Sequence, residues 1–184
     1  MEKLYEVYLT NKILYFNQIK ELTKYSNSSL QNILEKLVKT KKILKTKTKS
    51  NTFYEIKDKK FFALKFSEIA INKFNELNVD VKIPLLNFLN EIHRDVITIV
   101  LFGSSSKKEE KLGSDIDLLI VDNEKRNYDK IKKSVNLTTN YPLNIFRCTF
   151  DEFIKNEDFI IKEAKKGFPI FHEQIFYEIK LDES

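Results

Sequence analysis

Two apolar strands joined by a Gly-Ser turn, with paired acids at the start of the second, restrict a fold tightly. In this chain Leu101-Phe102-Gly103-Ser104 is followed after ten residues by Asp115-Ile116-Asp117. An apolar run from Val96 to Phe102 precedes, and another from Leu118 to Val121 follows. Glycine lets backbone amides approach a phosphate with no Cβ in the way. A serine hydroxyl adds a hydrogen bond to a phosphate oxygen. Asp115 and Asp117 are two apart on a predicted strand, so both carboxylates point to one face. Two hard oxygen donors there suit Mg²⁺ carrying substrate phosphates. The bland alternative is a surface loop with a solvated Asp pair. Charges at alternate positions of an otherwise apolar strand need a partner, and a metal is the simplest one.

From Leu101 to Val121 the chain reads LFGSSSKKEEKLGSDIDLLIV. This segment resembles the nucleotidyltransferase superfamily that includes DNA polymerase β, and within it the small prokaryotic branch of minimal nucleotidyltransferases. The resemblance implies that Gly103, Ser104 and Lys107 hold the triphosphate of an NTP, ATP foremost. It implies that Asp115 and Asp117 are the catalytic, Mg²⁺-binding carboxylates. Lys108 stands where relatives usually have glycine, with Gly113 or the serines as possible sources of that flexibility. Relatives carry a third metal-binding carboxylate on a later strand, here Tyr141 to Cys148. Asn144 occupies that third-carboxylate position, between Leu143 and Ile145. An amide can coordinate through its oxygen but takes no proton from an attacking hydroxyl. Substitutes to be weighed are Asp122, out of phase with Asp117, Asp129, and Asp151, which reads as a helix N-cap.

Charge divides the chain. Met1 to Asp58 holds twelve lysines and six acids, a balance of +6, whereas the remainder holds twenty basic and twenty-one acidic residues. Six lysines and no acid lie between Lys39 and Lys49. A stretch of this kind suits a polyanion. Periodicity gives it a shape: a helix from Glu2 to Leu9 with Ile13-Leu14 as its exit, and a helix Gln18 to Tyr25 capped by Asn17. A third helix runs from Leu30 to Lys39, its Leu30, Ile33, Leu34 and Leu37 repeating at i, i+3, i+4, i+7. A hairpin follows, Leu44 to Lys49 and Thr52 to Ile56, around Ser50-Asn51. Three helices and a basic hairpin resemble a winged helix-turn-helix domain. That resemblance implies double-stranded DNA as a partner. Ser28, Ser29, Gln31 and Asn32 would face base edges or phosphates, and Lys45, Lys47 and Lys49 the phosphate backbone. The competing reading is a small domain that contacts protein.

The expected class is α+β: an N-terminal winged helix-turn-helix over residues 1–58, a connecting helix and linker over 59–81, and a nucleotidyltransferase fold with a small mixed sheet flanked by helices over 82–184. The connecting helix, Lys59 to Asn78, is apolar on more than one face, which suits core packing or a homodimer contact. Beyond the linker, the pattern predicts a helix from Pro84 to His93 and another from Tyr128 to Val135. A single helix from Phe150 to Lys166, capped by Gly167, follows, then closing elements at Phe168 to Phe171 and Ile175 to Leu181. Cys148 reads as a buried, inert thiol, and His93 and His172 as structural. One cysteine excludes an internal disulfide, and no Cys/His cluster suggests zinc. No apolar run reaches the roughly twenty residues of a membrane span. With Glu2 and Glu6 interrupting any leader pattern, the expectation is a cytoplasmic protein.

The resemblance thus implies a metal-dependent transferase that moves a nucleoside monophosphate from NTP to a protein or nucleic-acid acceptor. Relatives of this size often pair with a HEPN-type protein in toxin–antitoxin modules. The alternative is a DNA-binding regulator whose transferase domain has lost its chemistry, which Asn144 favours and the intact Gly-Ser and Asp-x-Asp oppose. A weaker third reading is a structural interaction protein.

Overall fold

A computed structural model describes residues 1–124 and 126–183. The chain divides into two compact units, one from Met1 to Ile69 and the other from Ala70 onward. The division falls inside a helix rather than in a linker, because α4 (Lys59–Asn75) runs through it.

The first unit runs α1 (Glu2–Tyr8), β1 (Ile13–Tyr15), α2 (Phe16–Thr23), α3 (Asn27–Lys39), β2 (Ile43–Lys47) and β3 (Thr52–Ile56), then enters α4. Its three strands form an antiparallel sheet in the order β1-β3-β2. Ile13-Leu14, expected as a helix exit, is therefore a strand. It pairs with β3 across Leu14 and Tyr54. Helix α2 starts at Phe16, earlier than expected, and Asn17 is not its cap. Tyr15 holds that place, and the Gln18 side chain reaches back to the Tyr15 amide at 3.1 Å. After Thr23, Lys24 takes a left-handed conformation, and Ser26 caps α3 by accepting from the Ser29 amide. Leu30, Leu34 and Leu37 of α3 are buried, as their spacing requires, and Phe62 of α4 packs against Tyr5 and Tyr8. Truncating any of these leucines would cost about 2–5 kcal/mol.

The second unit continues through α5 (Val79–Glu91), β4 (Thr98–Phe102), a 3-10 turn (Ser105–Lys107), β5 (Ile116–Val121), α6 (Asp129–Asn136) and β6 (Leu143–Cys148). It closes with α7 (Phe150–Lys155), α8 (Phe159–Ala164), β7 (Phe168–Phe171) and α9 (Glu173–Asp182). Its sheet has the order β6-β5-β4-β7. β4 is antiparallel to β5 and β7, whereas β5 and β6 are parallel, so the sheet is mixed. Strand β4 is buried along its whole length. The α+β class holds for the chain.

Four local expectations change. Helix α5 begins at Val79, because Asn78 caps it through the Asp80 amide, and Pro84 lies inside the helix rather than at its start. The single helix Phe150 to Lys166 is two helices. Asn156 turns left-handed after α7, and Asp158 caps α8 through the amides of Ile160 and Ile161. Thr149, not Asp151, caps α7, in a capping box with Glu152. Gly167 is not a left-handed cap either. A Cβ there would lie 2.1 Å from the Leu101 carbonyl oxygen, so glycine is needed for the chain to cross β4 closely.

Candidate active site

The second unit places Gly103, Asp117 and Asn144 side by side on three neighbouring strand ends. Phe102 pairs with Asp117 across the antiparallel β4–β5 ladder, and Asp117 pairs with Asn144 across the parallel β5–β6 ladder. In-register partners project to one face, so the Asp117 and Asn144 side chains meet. The Asn144 Nδ2 donates to Asp117 Oδ1 at 2.9 Å. On the other side, Gly103 has φ +69°, and a Cβ there would lie 2.4 Å from Asp117 Oδ2. No other residue type fits without moving the carboxylate. Asp117 is half-buried and Asp115, just before β5, is exposed.

The loop after Gly103 is built by its own backbone. The amides of Lys107 and Glu109 both donate to the Ser104 carbonyl, at 3.0 and 3.1 Å, and Ser106 Oγ donates to the Gly103 carbonyl at 2.8 Å. The loop takes its left-handed turns at Gly113, φ +84°, as expected, and at Lys108 itself, which adopts φ +59°. A left-handed non-glycine residue costs about 1–2 kcal/mol. The Lys108 ammonium is anchored by Glu76 at 2.8 Å, and that contact lowers the Glu76 pKa below its ordinary value. Lys107 is exposed.

Sequence reasoning passed over Ser105 and Glu110. Ser105 is fully buried. Among the described residues, three buried side-chain atoms lack a hydrogen-bond partner: Ser105 Oγ, Glu110 Oε2 and Asn156 Oδ1. Two of the three lie in the loop between Gly103 and Asp115. An unsatisfied buried polar atom costs about 1–3 kcal/mol, and such atoms ask for an explanation such as a ligand. Three consecutive serines carry no pattern that would single out Ser105 in advance.

None of the three substitute acids joins Asp117. Asp122 is buried at the end of β5, where it accepts from Tyr128 Oη at 2.6 Å, Arg126 at 2.8 Å and the Glu124 amide at 3.0 Å. Burial, then that hydrogen bond, pushes Tyr128 up to about 12. Asp129 and Asp151 lie exposed in the first turns of α6 and α7. Among the described residues no group of three or more His, Cys, Asp or Glu could hold a metal ion. The Asp117 carboxylate and the neighbouring Asn144 carbonyl oxygen are hard oxygen donors of the kind Mg²⁺ takes.

The residues singled out for DNA contact are in the first unit. Ser28, Ser29, Gln31 and Asn32 are exposed on α3, and Lys45, Lys47 and Lys49 are exposed on and beyond β2. Part of this polar surface is engaged locally: Ser26 Oγ donates to Ser29 Oγ at 2.9 Å, and Gln31 donates to Glu35 at 3.1 Å. His93 is exposed beside Asp95 at 3.0 Å, and His172 Nδ1 lies 2.9 Å from the Val96 carbonyl.

No curated protein and no solved structure is significantly similar to the chain. Residues 83–171 match the family described as Nucleotidyltransferase domain. This span contains the Gly103 loop, both acids and Asn144, and the match supports placing it in the nucleotidyltransferase superfamily.

Proposed function

We propose that the second unit is a metal-dependent nucleotidyltransferase that moves a nucleoside monophosphate from NTP to a protein or nucleic-acid acceptor. The observation that carries the reading is the packing of Asp117 against Gly103 within the matched span. It sets a carboxylate suited to a cation directly against the glycine turn that the resemblance assigns to the triphosphate. Asp115 and Asp117 would hold Mg²⁺, whose positive charge would offset the negative charge growing on the departing pyrophosphate. Gly103 admits the triphosphate tail close to the backbone, and Ser104 and Lys107 supply a hydroxyl and a positive charge. The Lys108–Glu76 pair fixes the far side of the loop. Asn144 holds Asp117 in one orientation through its amide.

Asn144 itself supports a second reading, a regulator that binds nucleotide but transfers slowly. It leaves no carboxylate beside Asp117 to take the acceptor's proton. A transfer assay with α-phosphate-labelled ATP, scored for label on the protein or on added RNA and for released pyrophosphate, separates the two. Label transfer supports the enzyme, and Mg²⁺-dependent binding without transfer supports the regulator.

The first unit fits the role of a winged helix-turn-helix that binds double-stranded DNA. What supports it is the α1-β1-α2-α3-β2-β3 order, the three-residue turn between α2 and α3, and the exposed lysines of the hairpin. A HEPN-type partner in a toxin–antitoxin module, and a homodimer, remain extensions of the same resemblance.

A further inference from the structure

The face of the sheet that carries Asp117 and Asn144 continues into a cleft. Two residues along each strand, Leu119 of β5 and Phe146 of β6 pair in register on the same face. Together with Ile160 and Ile161 of α8 they line a cleft of about 280 Å³. Its near end lies about 7 Å beyond the acids, from the rise of two residues on a strand. That leaves room for a ribose between them. The volume falls near the lower bound of small-molecule sites, about 300–1,000 Å³, so it suits one base rather than a polymer. Phe146 is half-buried and tilts against Phe102, with ring centroids 5.8 Å apart, which fixes its ring at the boundary between acids and cleft.

The polar rim is selective. Glu152 is committed to Thr149, whose amide and hydroxyl lie 2.7 and 3.0 Å away, and Asp158 is committed to the α8 amides. Glu157 and Lys155 line the cleft, are exposed and make no such cap. One accepts hydrogen bonds and the other donates them. Cys148, also in the lining, stays a neutral thiol because burial, with Glu152 adding, pushes it up to about 12.

We infer that this cleft is the nucleobase site of the transferase, taking an adenine-type base stacked on Phe146, with its exocyclic amine toward Glu157 and a ring nitrogen toward Lys155. The inference rests on the proposed triphosphate site at Gly103 and Asp117, and it adds the choice of nucleotide. Adenine presents a donor beside an acceptor, whereas the corresponding edge of uracil offers an acceptor in place of the amine. Adenine also offers the larger stacking face. Stacking on an aromatic side chain contributes enough to change affinity by about tenfold or more.

The test uses the full chain with Mg²⁺ and four probes: ATP, UTP, tripolyphosphate and adenosine. ATP should bind about tenfold or more tightly than UTP or tripolyphosphate. Ile160→Trp, which fills the cleft from a half-exposed position, should erase that margin and leave tripolyphosphate binding unchanged. Glu157→Gln, at an exposed position that cannot unfold the chain, should narrow the preference for ATP over UTP. Adenosine alone should shift the backbone amide signals of Phe146, Cys148 and Ile160. If Ile160→Trp binds ATP as the wild type does, or adenosine shifts signals elsewhere, the base lies outside the cleft while the transferase reading stands. If adenosine shifts these signals but neither ATP nor tripolyphosphate binds, the transferase reading fails and the cleft is a nucleoside site. Failure of all four probes overturns both.

Discussion

Replacing Asn144 by Asp puts a second carboxylate where an amide now donates to Asp117 at 2.9 Å. Two effects add. A hydrogen bond to a charged acceptor, worth about 1.5–3 kcal/mol, is lost. In its place two like charges face each other. At 2.9 Å their repulsion runs from about 1.4 kcal/mol at the dielectric of water to about 6 kcal/mol at the effective value of 20 suited to protein surfaces. Both residues are half-buried, so solvent and a small retreat of the side chains hold the combined loss to about 3 kcal/mol. For a unit of this size that lowers the midpoint of thermal unfolding by roughly 10 °C. The sign with pH follows: the folded pair binds a proton more readily than the unfolded chain, so the loss is small at acid pH and grows as pH rises toward neutrality. Mg²⁺ should restore most of it, since a cation turns the repulsion into a ligand set. The same variant should raise transfer by about 10²-fold, the low end of what a positioned base supplies. Thermal unfolding at pH 5 and pH 7.5, with Mg²⁺ and with EDTA, reads the first effect, and labelled-nucleotide transfer reads the second. A variant with unchanged stability that ignores both pH and Mg²⁺ would show that position 144 does not face Asp117, and the reasoning would fall.

Gly103→Ala should displace Asp117, since its Cβ would sit 2.4 Å from Oδ2 at φ +69°; a loss of about 1–2 kcal/mol in stability and of Mg²⁺-dependent ATP binding by calorimetry is expected, and intact binding would count against the loop as phosphate site. Removing Lys45, Lys47 and Lys49 together should weaken duplex DNA binding for all sequences and flatten its salt slope, measured by fluorescence anisotropy across salt; an unchanged slope would point to a protein-contact role. Cys148, buried and raised to about 12, should resist a thiol reagent at pH 8 in the folded chain and react on unfolding. Because its folded value lies above the ordinary 9.0, its stabilising share is complete below pH 9 and fades as pH climbs through about 12, which alkaline unfolding of Cys148→Ala against wild type would read.

The second unit was legible where period and residue type agreed. Ile116 to Val121 is a nearly unbroken apolar run and became a buried central strand, and the phase of Leu143 to Cys148 was enough to set Asn144 opposite Asp117. Local signals that compete were misread. Thr149-x-x-Glu152 is a capping-box pattern, and it competes with an acid at 151 that can itself cap a helix. Asn156 and Asp158 carried the stop and start signals that break the expected long helix. Pro84 looked like a helix start because proline favours the first turn, whereas Asn78 already capped one. A strand of three residues, Ile13–Tyr15, is too short to show a period, and only β3 reveals it. Ser105 and the Phe146 cleft depend on tertiary packing, which no spacing along the chain encodes.

The most direct test of the account is a calorimetric titration of ATP with Mg²⁺ into the wild-type chain and into Asp115→Asn/Asp117→Asn. The account predicts binding to the wild type that EDTA abolishes, and none to the double variant, whose circular dichroism and melting remain those of a folded chain. Equal affinity in the folded variant, or binding indifferent to EDTA, would contradict it.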